Sequence, residues 1–173
     1  MNVAVKEKVP TVKEALALKP DGVLEMIAAQ CGVPLVRVFD ELPKGAAEQV
    51  PGSRFEELWQ QLTPWGDVLF IVHTRDIVLE CKGPLPPGSS AQGYFNIHGD
   101  SPIGGHIKAD RCAAIYFIDR LFHGRRSCSV QFMNGEGEAM FKVFVRRDEK
   151  RELLAEQLAQ FEALRVKMVT GVK

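Results

Sequence analysis

Paired cysteines, long apolar runs and net charge are all missing from this sequence, and each absence removes a class of protein. The four cysteines, Cys31, Cys81, Cys112 and Cys128, are scattered, with no CxxC, CxxCH or Cys-Pro pair among them. A zinc ribbon, an iron–sulfur cluster and a covalently attached haem lose their support, and four buried, reduced thiols are expected. The longest apolar runs, such as VLFIV at 68–72, are far too short to cross a bilayer. The opening MNVAVKEKVPTVKEAL has no apolar stretch of signal-peptide length before a small-residue cleavage site, so a cytoplasmic protein is expected. Twenty-two basic residues balance 22 acidic ones, so no overall field draws the molecule to nucleic acid or an anionic membrane. GxGxxG, P-loop, GxSxG and HExxH signatures are absent as well.

What remains is an ordinary globular composition. At 173 residues, 46% apolar and 25% charged, the chain suits one domain over 1–173 and neither a disordered tail nor a coiled-coil rod. Residues 11–64 read as helices. Thr11 with Glu14 and Ser53 with Glu56 have capping-box spacing, and Asp21 precedes a stripe of Leu24, Ile27 and Ala28 that Gly32 can end. Leu35, Val38, Phe39 and Leu42 form a second stripe after Pro34, and Phe55, Leu58, Trp59 and Leu62 a third.

From Asp67 the apolar period falls to two. DVLFIVH (67–73) and DIVLECK (76–82) form an expected antiparallel pair, followed by a Pro/Gly-rich loop at 82–93. YFNIH, IGGHIK and CAAIYFIDRLF follow as strands, and SCSVQFM and EAMFKVFV flank an Asn-Gly turn that needs positive φ. Asp148 is expected to cap a last helix over about 148–168. Helices, then a sheet at about 67–146, then a helix make an α+β fold with a large antiparallel sheet.

Chemistry rests on few residues. Period-two parity puts His73 on one face with Leu69 and Ile71, and His106 follows Gly104 and Gly105 and shares a face with Lys108. A neutral imidazole among apolar residues is a standard iron or haem ligand, although a core or surface histidine has the same appearance in sequence. Tyr94 offers a hard oxygen ligand for ferric iron or an ordinary packing ring. His98 and His123 adjoin glycines and read as turn residues. Residues 24–43 have the outline of a helix-turn-helix. They supply Pro34, Arg37 and Asp40 where a DNA reader needs base-contacting side chains, so plain helix packing is favoured.

Several long segments carry a more specific signal. GYFNIHGDSPIGGHIKADRC, WGDVLFIVHTRDIVLE and NGEGEAMFKVFVRRDEKRELL, with DGVLEMIA and PGSRFEELW, closely resemble the intracellular haem-utilisation carriers of the HutX/ChuX kind over about 20–164. The resemblance implies a cytoplasmic homodimer that binds haem b non-covalently after import and passes it to a haem-degrading partner, without nucleic-acid binding or membrane insertion. It implies helices before and after a large antiparallel sheet, similar to one half of the two-repeat cytoplasmic haem proteins. The family's histidine ligands match VHT and GGHIK, which are His73 and His106, and Tyr94 in GYFN is the candidate oxygen ligand. Charge and proximity in sequence make Lys108, Arg75 and Arg111 candidates for propionate contacts. His98 is an additional histidine close to the site segment. The competing readings are a haem-degrading enzyme and a regulator using residues 24–43. A further alternative is a different flat ligand, such as a flavin or haem precursor.

Overall fold

A computed structural model of the protein describes residues 8–171. Three short helices come first: α1 (Val12–Leu18), α2 (Leu24–Cys31) and α3 (Leu35–Phe39). Strand β1 (Ala47–Pro51) and helix α4 (Phe55–Leu62) lead to β2 (Asp67–His73), β3 (Val78–Pro84), β4 (Gly88–Ala91), β5 (Tyr94–Ile97) and β6 (Gly105–Ile107). Long strands β7 (Cys112–Phe122), β8 (Arg125–Asn134) and β9 (Ala139–Phe144) then precede helix α5 (Ala155–Thr170). The expected α+β class is the observed one.

Six strands form an antiparallel sheet in the order β1-β7-β8-β9-β2-β3, and β4-β5-β6 form a separate small sheet. Alternation sorts the large sheet's side chains onto two faces. Ile115, Phe117, Val130, Phe132, Phe141 and Val143 face one way and pack with Phe55, Leu58 and Trp59 of α4 and Phe161, Leu164 and Met168 of α5. Phe95 of the small sheet joins this core, edge-on to Phe55 and Trp59 at 5.3 and 5.2 Å. The alternate residues Ala114, Tyr116, Ile118 and Met133 face the other way, under α1, α2 and α3. These three helices cover the β7–β8 side of that face. Farther across, beside β9, β2 and β3, the same face lines a cavity.

Local signals hold where geometry could be read from neighbours. Thr11 and Glu14 make the reciprocal capping box, and Gly32 ends α2 in the left-handed conformation with φ 65°. Ser53 does not cap α4: a 3-10 turn at Gly52–Arg54 occupies that place. Arg54 instead forks onto Glu57, with both bonds at 2.8 Å. Asp21, ahead of α2, accepts the Gly124 N–H at its Oδ2 across the fold. The β8–β9 turn takes its positive φ at Gly137, at 79°, rather than at the Asn134–Gly135 step. The Asn134 carboxamide oxygen holds this loop by accepting from the Glu136 and Glu138 N–H groups.

Three expectations are corrected. Residues 47–51, read as part of a helical stretch, are the edge strand β1, which pairs with β7 from Ala47–Ile118 to Pro51–Ala114. The loop at 82–93 contains β4, and the last helix begins at Ala155. Asp148 caps a turn before that helix, accepting from the Lys150 and Glu152 N–H groups. Of the cysteines, Cys112 and Cys128 are buried, and burial pushes their thiols up to about 11 and about 12. Cys31 and Cys81 are half-buried, and all four are free. Helix α3 is five residues long, buries Leu35, Val38 and Phe39, and pairs Arg37 with its own Asp40 at 3.0 Å. Its buried stripe is committed to the core, as plain helix packing requires.

A charged network ties β7 and β8 to α5. Arg126 forks onto Asp119 at 3.0 and 2.8 Å, reaches Glu162 at 2.8 Å, and Arg165 approaches Asp119 at 3.3 Å. The Arg126 hydrogen bonds hold the Asp119 carboxyl below its ordinary value, against an opposing burial effect. A carboxylate lowered in the folded state stabilises above its unfolded pKa, and that stability is lost as pH falls through the folded value. The urea midpoint of wild type should therefore exceed that of Asp119→Asn at neutral pH, and the gap should close as pH drops through about 4 and below. An equal gap at both ends would remove the carboxylate from the stability account.

Candidate functional site

The uncovered part of the sheet's second face forms a cavity of about 690 Å3. Ligand pockets of roughly 300–1,000 Å3 accommodate drug- and cofactor-sized molecules, so its size alone points to a sizeable ligand. Strand register lays out the floor. One row across the sheet reads Ile118, Ser129, Phe144, Leu69 and Lys82, and the next Tyr116, Gln131, Lys142, Ile71 and Glu80. Apolar walls come from Leu69, Ile71, Val78, Ile118, Phe122 and Phe144, and Val23 and Leu24 of the α2 entry close one side.

His73 stands at the end of β2 on this face, with Leu69 and Ile71, as parity requires. Its side chain is 21% exposed, and its Nδ1 lies 3.4 Å from Glu25 Oε1 of α2. Burial holds His73 below the ordinary imidazole value, so near neutrality the ring is uncharged and carries a lone pair for a metal. Behind Glu25 sits Lys142 of β9, buried and ion-paired with the same carboxylate oxygen. Burial brings the Lys142 ammonium down to about 8. The carboxylate thus lies between a buried ammonium and an imidazole.

The rim is cationic. Lys82, Arg120, Lys142, Arg146, Arg147 and Arg151 line the cavity against Glu25, Glu80 and Asp148, which is six positive groups to three negative. Two buried polar atoms on this lining, Arg120 Nε and Gln131 Oε1, lack a hydrogen-bond partner. Buried polar groups without partners are uncommon, so a ligand with polar edges suits these walls. A sheet-floored space with apolar walls, one uncharged histidine and an excess of cations fits a metalloporphyrin with carboxylate side chains.

The other sequence candidates are elsewhere. His106 lies on β6 of the small sheet, and neither it nor Tyr94 lines this cavity. His106 Nδ1 is 2.7 Å from Asn96 Oδ1, and its ring meets Tyr94 edge-on at 6.0 Å. The positions where a Cβ would sit on Gly104 and Gly105 have nothing within 4 Å, so the approach to His106 is open. Lys108 lies over the Tyr94 ring at 4.1 Å, and Arg111 pairs with Glu136 at 2.6 Å. Arg75 is in the exposed β2–β3 turn. None of these three cations lines the cavity, whereas Arg120, Arg146, Arg147 and Arg151 do. His98 Nε2 is engaged by Ser89 Oγ at 2.7 Å, and His123 occupies a turn with φ 47°.

Sequence reasoning missed Glu25, Lys142 and the rim arginines. Lys142 had a signal, a lone lysine inside the apolar strand AMFKVF. Glu25 had none, because only tertiary packing brings α2 to the end of β2.

The chain matches the model of the haem utilisation ChuX/HutX family over residues 48–164. It is 33% identical over 154 residues to the intracellular heme transport protein HutX of Vibrio cholerae, covering 88% of this chain and 80% of that one. A solved protein of Agrobacterium tumefaciens is 58% identical with a TM-score of 0.84, covering 91% of this chain and 89% of that one. The heme binding protein ChuX is 41% identical with a TM-score of 0.81, covering 91% and 98%. A fold-level likeness extends to the Escherichia coli O157:H7 heme degrading enzyme ChuS, at 12% identity and a TM-score of 0.71. It spans 94% of this chain and 50% of that one, as a fold resembling one half of a larger protein does. By its family match and its identity to HutX over most of both lengths, the chain belongs to the haem utilisation ChuX/HutX family.

Proposed function

We propose that this protein is a cytoplasmic haem carrier that holds haem b non-covalently in the sheet cavity and passes it to a haem-degrading partner. The observation that carries the reading is the cavity itself, where an uncharged His73 stands among apolar side chains inside a lining with a cationic excess. In this reading His73 offers Nε2 to the iron, Leu69, Ile71, Ile118 and Phe144 contact the ring, and Arg120, Arg146, Arg147 and Arg151 meet the propionates. The names of the relatives support it, since one is called a heme transport protein and another a heme binding protein. Among the described residues no helix is long and apolar enough to cross a membrane.

The homodimer belongs to the same proposal. Within one chain His73 and His106 lie on different sheets, and the cavity includes only the first. A second copy is the simplest source of a second axial ligand, His106 or Tyr94, for an iron held by His73. One exchangeable ligand also suits a carrier, which must release its cargo.

Titration of the purified protein with ferric haem should give a saturable Soret shift at one haem per chain. No saturable shift would overturn the proposal. The rival reading, a haem-degrading enzyme, draws on the same cavity, because a single histidine leaves one face of the iron open to dioxygen. Ascorbate with catalase present separates the two. The carrier keeps its Soret band, and a degrading enzyme loses it.

A further inference from the structure

Three successive cavity-facing positions of β8 are polar: Ser127, Ser129 and Gln131. On β7 beside them Arg120 also lines the cavity, directly opposite Ser127 in the strand register. Ser129 and Gln131 are only 2% and 4% exposed, and the cross-strand neighbours of Ser129 are Ile118 and Phe144. Burying a hydroxyl and a carboxamide in such a place costs free energy unless their hydrogen bonds are met.

Those bonds do not close within the protein. Gln131 Nε2 and Ser129 Oγ meet at 3.0 Å, and Gln131 Oε1 has no partner among the described residues. If the amide donates, the Ser129 O–H is left over, and if the carboxamide is turned, an amide N–H is left over. Either way the pair keeps a donor for the cavity. Arg120 adds another: its Nη2 donates to the Pro20 carbonyl at 2.8 Å, and its Nε is buried without a partner. Burial pulls its guanidinium below the ordinary value, and Asp21, which favours its charge, spends Oδ2 on the Gly124 N–H. Other cations of the cavity are engaged. Lys142 pairs with Glu25, Arg147 gives Nη1 and Nη2 to the carbonyls of Arg151 and Arg126, and Arg146 approaches Asp67 at 3.5 Å.

Resting on the haem-carrier reading, we infer that Arg120, Ser127, Ser129 and Gln131 form an interior carboxylate subsite that seats one of the ligand's two propionates, leaving the other at the outer arginines. A carboxylate brings several lone pairs and no hydrogen, so it matches a wall with donors to spare, and its charge is the counterion that Arg120 lacks. Turning the Gln131 carboxamide lets Oε1 accept from Ser129 while Nε2 donates to the carboxylate, which leaves neither atom unpaired. A vinyl or methyl edge meets none of these groups. The subsite therefore selects an acid edge and fixes which way round the ring lies in the cavity.

The test uses iron-free protoporphyrin IX and its dimethyl ester, which keeps the ring and removes both charges, so no iron bond contributes. Fluorescence titration of wild type should show the acid bound at least about tenfold more tightly than the diester. Gln131→Leu and Arg120→Met should each weaken the acid by about tenfold and leave the diester affinity where it was. Loss of the acid with the diester retained is a result that a damaged fold does not give. Equal affinities for acid and diester in wild type would overturn the subsite. Variants that bind the acid as wild type does, or that lose both probes alike, would overturn it too. Haem binding without a preference for the acid keeps the carrier reading and refutes the subsite, whereas an acid preference set by these residues without haem binding does the reverse.

Discussion

His73→Ala is expected to weaken ferric haem binding by about 100-fold, since even the outer-shell partners of a metal ligand are worth about 10–100-fold. The substitution removes the only histidine of the cavity while leaving its apolar walls and cations intact. Residual binding should therefore persist through ring packing, with a changed ligand-field spectrum. The fold should survive, because the ring is at the end of β2 and Glu25 keeps its pairing with Lys142. Titrations read against circular dichroism of the same samples separate a lost ligand from a lost structure. An unchanged spectrum and affinity in a folded His73→Ala protein would remove His73 from the ligand set. In that event His106→Ala and Tyr94→Phe become the informative variants.

The largest stability effect is expected at Trp59. Its side chain is fully buried between Phe55, Phe95 and Phe141, where helix α4 joins the small sheet to the large one. The indole Nε1–H donates to the Pro86 carbonyl at 2.7 Å, tying the β3–β4 connection down. Trp59→Ala combines a large cavity with an unsatisfied buried carbonyl, which costs about 4 kcal/mol. For a chain of this size that lowers Tm by about 10 °C. Trp59→Phe keeps most of the volume and loses the hydrogen bond, so it should fall between the two. A Trp59→Ala protein melting within a degree or two of wild type would show that the two sheets are not joined through this residue.

How much was legible depended on how local the signal was. Strands β2, β7, β8 and β9 showed as alternating or apolar runs, and parity alone put His73 on the face of Leu69 and Ile71. Strand β1 was not legible, because AEQVP at a sheet edge has one fully buried side chain, Val50, and no alternation to read. Strand β4 was hidden for a similar reason. GSSA has loop composition, and its pairing with β5 and the burial of Phe95 against Gly88 make it a strand. Glycine at position 88 is needed there, since a Cβ would lie 2.4 Å from the Phe95 ring. The site divided in the same way. Histidines in apolar or glycine-rich strands stood out, and the cations selected by nearness in sequence, Lys108, Arg75 and Arg111, do not line the cavity. The rim arginines come from the end of β7 and from residues 146–151, which only the β9 crossover brings to β2 and β3.

In the proposed function haem binds on the open face of the six-stranded sheet. Ferric iron broadens nearby NMR signals, so adding ferric haem to nitrogen-15-labelled protein maps the bound iron directly. Amide signals of Leu69, Ile71, Lys142 and Phe144 should broaden or vanish at one equivalent, with those of α5 unaffected. Saturable haem binding that leaves these four signals sharp would contradict the account and place the iron elsewhere on the protein.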